Sequence, residues 1–242
     1  MKCSVLALSA VLMASASHAY ACGTDAMGTA RTLNISGYKG QAYGTAQHGP
    51  LALAKDEAVI TFDDGPRPET TPRVLAALKD QCVKATFFMQ GNNLTAYPDL
   101  ARQVVADGHS VGLHSYKHDA MNQLPPADQI KDFDATRDAA AKVLGAKAAP
   151  FYRFPYLGET PDLMNALKVS GYTVFSIDAA ADDWLPDETP QTVTDRLMKN
   201  LEGKGGIILL HDAQEVTAQA MPLILKTLKD KGYKVVHIEP AR

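Results

Sequence analysis

The sequence has no basic excess: 24 lysines and arginines stand against 27 acidic residues among 242, a formal charge of −3. A protein held to nucleic acid by phosphate neutralisation needs that excess, so nucleic acid is excluded as a main partner. No apolar run reaches the roughly 20 residues that a membrane-spanning helix requires, and no span is expected. Low-complexity tracts, repeats and long linkers are absent too, which leaves a single domain. The 46% of hydrophobic residues supply a sizeable core and exclude disorder or a long coiled coil.

Cysteine is scarce, with three residues in all. Lys2 precedes an apolar, Ala/Ser-rich stretch from about Val5 to Ala16, and Ala19-Tyr20-Ala21 has the small-x-small form that a signal peptidase reads. Residues 1–21 are therefore expected to be a signal peptide, and the rest to be exported, periplasmic or extracellular. Cleavage after Ala21 leaves Cys22 first, which raises a lipid-anchored alternative, although Ala19 stands where a lipid-attachment box has a Leu-like residue. Cys3 leaves with the signal. Cys22 and Cys82 then remain in an oxidising compartment, where a disulfide is the economical expectation and two separate thiols the alternative.

Residues 22–57 form a polar, Gly-rich lead expected to pack on a domain spanning 58–242. That domain alternates short apolar runs with helix-period segments: Ala58–Phe62, Lys84–Met89, Ser110–Leu113, Phe151–Phe154, Tyr172–Ile177, Gly206–Leu210 and Lys234–Ile238 read as strands. Thr71-Pro72, Thr160-Pro161 and Thr189-Pro190 read as N-caps followed by proline at the first helical position. Gly108, Gly145, Gly171, Gly203 and Gly232 fall where helix C-terminal glycines belong. Seven strands with intervening helices define an α/β fold with a parallel sheet, either open or closed into a barrel.

In such folds chemistry gathers where strands end. The strand-end residues here are Asp63-Asp64-Gly65, His114-Ser115-Tyr116-Lys117-His118, Arg153-Phe154-Pro155-Tyr156, Asp182-Asp183-Trp184 and Leu209-Leu210-His211-Asp212. Histidines four apart share a face on a helical turn, and one carboxylate added to two imidazoles makes a catalytic metal site with positions left open. Adjacent aspartates on extended chain point to opposite sides, so both serve one centre only where the strand breaks, as Gly65-Pro66 implies. One aspartate then binds metal while the other acts as base, and His211 supplies the proton for a leaving group. His109 reads as a packed or surface histidine, His48 and His237 have no chemical neighbours in sequence, and Asn93-Leu94-Thr95 reads as a loop and helix-start feature.

Five motifs in order, Thr61-Phe62-Asp63-Asp64-Gly65, His114-Ser115-x-x-His118, Arg153-x-Pro155-Tyr156, Asp183-Trp184 and Leu209-x-His211, resemble those of the polysaccharide deacetylase family, carbohydrate esterases that remove acetyl groups from N-acetylglucosamine polymers. The resemblance runs from about Ala58 to Ile238. It implies a distorted (β/α) barrel of fewer than eight strands, here about seven. It also implies one divalent metal, zinc before cobalt, nickel or manganese, held by Asp64, His114 and His118, with Asp63 as general base and His211 as general acid. Arg153 then holds Asp63 and Asp183 orients His211. The Tyr156 N–H stabilises the oxyanion, and Trp184 and Leu209 wall the acetyl methyl.

Two departures from the family pattern stand out. Its fourth motif is usually spaced Asp-x-x-Asp-Trp, whereas Ala180 lies three before Asp183 and Asp178 five before it; Leu157 follows Tyr156 where glycine is common. The expected function is a secreted, monomeric hydrolase that uses metal-activated water to remove N-acetyl groups from chitin, chitooligosaccharides or peptidoglycan. An O-acetyl esterase on xylan-like polymers and a silent carbohydrate-binding protein are the alternatives. Few aromatics and no appended binding module point to a soluble oligosaccharide or a wall already within reach.

Overall fold

The computed structural model describes residues 22–36 and 40–241; the expected signal peptide at 1–21 lies outside the described residues. Ten strands, all paired in parallel among the described residues, form one sheet. They are β1 (Thr29–Ile35), β2 (Ala42–Tyr43), β3 (Glu57–Asp63), β4 (Thr86–Met89), β5 (Ser110–Leu113), β6 (Phe151–Tyr152), β7 (Thr173–Phe175), β8 (Ala179–Ala180), β9 (Gly206–His211) and β10 (Lys234–Pro240). Helices α1 (Thr71–Asp80), α2 (Gly91–Ala96), α3 (Pro98–Ala106), α4 (Pro126–Leu144), α5 (Pro161–Val169), α6 (Pro190–Leu201) and α7 (Glu215–Asp230) connect them. The wall runs β8-β9-β3-β4-β5-β6-β7-β2, with β10 and then β1 added at the start of β3. This is a distorted (β/α) barrel, open between β2 and β8.

The seven expected runs are β3 to β7, β9 and β10. Three strands were not anticipated: β1, an edge strand with little apolar character, and the two-residue β2 and β8. The lead thus contributes strands to the sheet, β1 pairing with β10 and β2 with β7.

Period-two alternation sorts each strand into two faces. Ala58, Ile60 and Phe62 of β3 join the larger apolar cluster with Phe87, Met89, Val111, Leu113, Tyr152, Val174, Ile208 and Leu210, beneath the helices. Val59, Phe88, Phe151, Phe175 and Ile207 form a second cluster inside the barrel. Continuing the inward parity along each strand reaches Thr61 and Asp63 on β3, His114 after β5, Arg153 after β6, and Leu209 and His211 on β9. One register rule therefore delivers the site residues to the barrel interior. Gly112 keeps room for this inner layer, since a Cβ there would lie 2.9 Å from Phe88 and 3.0 Å from Phe151.

The five anticipated helix-end glycines all have positive φ, from +59° at Gly145 to +83° at Gly108, the left-handed geometry that closes a helix. Thr160 and Thr189 cap as expected, accepting from the Leu163 and Thr192 amides. Thr71 does not: it is the first residue of α1, and its hydroxyl is committed to the Arg67 amide and the Asp212 carboxylate. Cys22 and Cys82 form a disulfide with Cα atoms 5.9 Å apart, and the Cys22 sulfur is thereby used. No helix among the described residues is long and apolar enough to cross a membrane.

Candidate metal centre and active site

Asp64 directly follows β3 in the left-handed region, with φ +75°, so the strand breaks as the adjacent aspartates require. Asp63 keeps the inward parity of the strand, while Asp64 turns toward β5. Asn93 and Gln90 hold it there, the Asn93 amide donating to the Asp64 carbonyl at 2.7 Å and the Gln90 amide to Oδ1 at 2.8 Å. Of the loop and helix-start reading of the Asn93 sequon, the helix start holds and the loop does not. Asn93 lies inside α2, with its side chain buried.

His114 and His118 converge on Asp64, but not on a helical turn. They belong to the loop after β5, and the left-handed conformations of Ser115 (φ +57°) and His118 (φ +63°) fold the chain back, with the His118 amide donating to the Ser115 hydroxyl. His114 donates Nδ1–H to the Arg153 carbonyl at 2.8 Å, which fixes Nε2 as the free lone pair facing Asp64. Asp64 Oδ1 lies 3.6 Å from His114 Nε2 and 3.4 Å from His118 Nε2. Ligands bonded tetrahedrally at about 2.0–2.1 Å are separated by about 3.3–3.5 Å, so the spacing and donor types fit a zinc-like divalent ion. Burial and the neighbouring His114 lower His118 below the ordinary imidazole range, which favours the neutral form a ligand must have. Burial also opposes ionisation of Asp64, but the His114, His118 and His211 imidazoles and the Gln90 bond outweigh it, and its carboxyl is lowered.

Asp63 presents Oδ1 to the buried Arg153 guanidinium at 2.7 Å, and its Oδ2 lies 3.7 Å from His114 Nε2. Arg153 also donates to Thr61 Oγ1 and to the Phe175 and Ser176 carbonyls, and rests 4.2 Å over the Phe88 ring. Every group around this buried cation is therefore an acceptor or a ring face.

On the neighbouring strand β9, in register with Asp63, His211 donates Nδ1–H to Asp183 Oδ1 at 2.7 Å, leaving Nε2 toward the cavity. Asp183 is almost fully buried, and its Oδ2 accepts from the His211 amide and the Thr217 hydroxyl. Burial pulls His211 down, but its bond to Asp183 and the charges of Asp183, Asp63 and Asp64 outweigh it and raise it to about 9. The two aspartates of the unusually spaced motif have different partners. Asp183 reaches His211, whereas Asp178 is spent on the Thr45 amide and hydroxyl and the Ile207 amide.

Asp63, Asp64, His114, His118, Tyr156, Trp184, Leu209 and His211 line one cavity of about 350 Å³, together with Phe154, Leu157 and Ile177. Tyr156 and Leu157 are both left-handed, φ +55° and +53°, which explains why glycine suits the second position. Trp184 is half exposed and packs edge-on against His211, ring centres 5.3 Å apart. Asp212, Asn93, Gln90 and Thr217 were not picked out from sequence as site residues. The only signal was Asp212 following His211 at a strand end.

One carboxylate and two imidazoles cluster at the C-terminal mouth of the parallel barrel, with the Asp63 carboxylate and the His211 imidazole side by side on β3 and β9, and the cluster could hold a metal ion. Residues 52–175 match the family model for polysaccharide deacetylase. A peptidoglycan-N-acetylmuramic acid deacetylase, PdaC of Bacillus subtilis, is 34% identical over 79% of this chain and 42% of its own length. A chitin deacetylase of Colletotrichum lindemuthianum is 32% identical over 74% of this chain and 76% of its own. Among solved structures, the Bdellovibrio bacteriovorus peptidoglycan deacetylase Bd3279 superposes with a TM-score of 0.80 at 31% identity, over 90% of this chain and 61% of that one. The chain belongs to the polysaccharide deacetylase family, and spans less than half the length of its Bacillus subtilis relative.

Proposed function

We propose that the protein is an exported, metal-dependent deacetylase that hydrolyses N-acetyl groups on glycans of the chitin or peptidoglycan type. The observation that carries this reading is the cavity on which Asp63, His211 and the Asp64–His114–His118 cluster converge. The disulfide and the cell-wall substrates named for the relatives support export.

Asp64, His114 and His118 would hold the metal, most simply zinc. When bound, it supplies Lewis acidity that makes water nucleophilic near neutral pH and polarises the acetyl carbonyl. Asp63 takes the proton from the attacking water on Oδ2, while Arg153 fixes Oδ1 and so orients the carboxylate toward the cavity. The Tyr156 N–H, which no acceptor among the described residues engages, donates to the developing oxyanion. His211 enters the reaction as an imidazolium, stabilised by Asp183, and protonates the departing amine from Nε2. Expelling an amine without that proton is prohibitive, so this step distinguishes amide from ester cleavage. Leu209, Trp184 and Ile177 provide the apolar wall for the acetyl methyl. The catalytic domain on this reading is 58–242, with 22–57 packed on it.

The test is acetate release by the zinc-loaded protein from chitooligosaccharides, peptidoglycan and acetylated xylan, with Asp63→Asn as control. Release from an amide substrate, abolished in the control, is expected. Release from the xylan alone would make it an esterase, and silence on all three with metal bound would overturn the reading.

A further inference from the structure

Residues 44–48 lie outside the stretch that matches the family model, yet they bind two of the loops that shape the cavity. On one side they dock on the chain leaving β7. The Ala46 amide donates to the Ile177 carbonyl at 3.0 Å, Thr45 bonds Asp178, and Gln47 Oε1 accepts from the Ser176 hydroxyl at 2.9 Å. Gly44 makes this docking possible, since at φ +110° a Cβ would lie 2.5 Å from the Ser176 backbone. On the other side the same residues reach the loop after β6. Gln47 Nε2 donates to the Leu157 carbonyl at 2.8 Å, and His48 Nε2 pairs with Glu159 Oε1 at 2.7 Å, both of those side chains being under one-fifth exposed.

The loop so held carries two consecutive non-glycine residues in the left-handed region, Tyr156 and Leu157. Such residues persist only where their surroundings over-determine them. Inside the loop there are only the short turn bonds from Leu157 to Phe154, Gly158 to Pro155 and Glu159 to Leu157. The other hydrogen bonds to it among the described residues come from Gln47 and His48, while the Tyr156 ring packs edge-on against His118 with ring centres 4.5 Å apart.

We propose that Gln47, from the N-terminal lead, is a positioning residue for the oxyanion donor: by tying the Leu157 carbonyl to Ser176 it holds the Tyr156–Leu157 turn in the conformation that aims the Tyr156 N–H into the cavity. It touches no reacting atom. This rests on the deacetylase reading, and it makes the lead part of the catalytic apparatus.

The experiment compares Gln47→Ala, Gln47→Glu and Gln47→Lys in the full chain with zinc bound, reading kcat, KM, melting temperature and the crystal structure of each. Glutamate has the same shape but turns an oxygen against the Leu157 carbonyl, whereas lysine restores a donor. The expected result is a fall in kcat of about tenfold or more for alanine and glutamate, as for a displaced transition-state donor. KM should stay within about twofold, melting should be near that of the parent because Gln47 itself is exposed and only its bond from Ser176 is part-buried, and lysine should recover most of the rate. Equal kcat in all variants, or loss of rate only in step with melting, would overturn the proposal. If the parent cleaves no acetylated substrate, the deacetylase reading fails alone. The proposal is then decided by the crystal structures, where Gln47→Ala must release Tyr156 and Leu157 from positive φ and an unchanged turn refutes it.

Discussion

His109 directly precedes β5 at the end of the barrel away from the cavity, 6% exposed, with Nδ1 accepting from the Ala85 amide at 3.1 Å and its ring edge-on to Phe87. Burial first, then the charges of Lys84 and His237, lower its pKa from the ordinary 6.5 to about 3. The unfolded chain binds a proton near 6.5 and the folded chain does not until about 3, so the stabilisation is complete above 6.5 and is lost as pH falls through that window. Between pH 7.5 and pH 5 the loss amounts to about 2 kcal/mol, at 1.36 kcal/mol per unit. Asp212 contributes with the opposite sign. Burial above all raises it to about 7, so it destabilises the fold at neutral pH and relieves that strain on acidification. The measurement must therefore be a difference. His109→Asn keeps an acceptor for Ala85 and removes the titration. Urea unfolding of parent and variant at pH 7.5, 6 and 5 should give a stability gap that shrinks, or turns in the variant's favour, by about 2 kcal/mol on acidification. A gap independent of pH would refute the assignment of a neutral, desolvated His109.

The acid role of His211 predicts a kcat profile that falls on the alkaline side near its raised pKa of about 9. Asp183→Asn replaces the carboxylate that raises it by a neutral amide, leaves only Asp63 and Asp64 to oppose burial, and should move that limb to lower pH, as read from kcat against pH. Gly65→Ala places a Cβ about 2.2 Å from the Asp212 carboxylate, which Thr71 holds in place. It should cost about 1–3 kcal/mol in unfolding experiments and weaken zinc binding measured by titration, because the clash sits beside Asp64. Reduction of Cys22–Cys82, which lie 60 residues apart, should lower stability by about 4 kcal/mol on the chain-entropy model, a drop of roughly 10 °C in melting temperature by calorimetry.

The legible part of this site was its parity. Asp63, Leu209 and His211 sit on strands whose alternation can be followed from Val59 and Ile207, and the break after Asp63 is written in Gly65-Pro66. The His114–His118 pairing was legible while its conformation was not, because two left-handed residues bring the rings together as well as a helical turn does. What stayed hidden were the holders. Asn93, Thr217 and Gln47 act on partners 29, 34 and 110 residues away, and no local spacing records such a bond. Strands β2 and β8 are two residues long, too short for any periodicity, and β1 is an edge strand that needs no apolar residues on both faces.

Arg153 serves the site with two chemically unlike parts of itself. Its guanidinium grips Asp63, and its carbonyl accepts from His114 and sets that ligand's tautomer. Substitution can delete the first and cannot delete the second, because every amino acid brings the same carbonyl. On the proposed mechanism the base and the metal are thus separable by mutation in one direction: a descendant that drifts at Arg153 loses the grip on Asp63 while His114 keeps its aim. Inactive members of such a lineage would carry their ion as an inherited structural part, and a bound metal would be poor testimony that the chemistry survives.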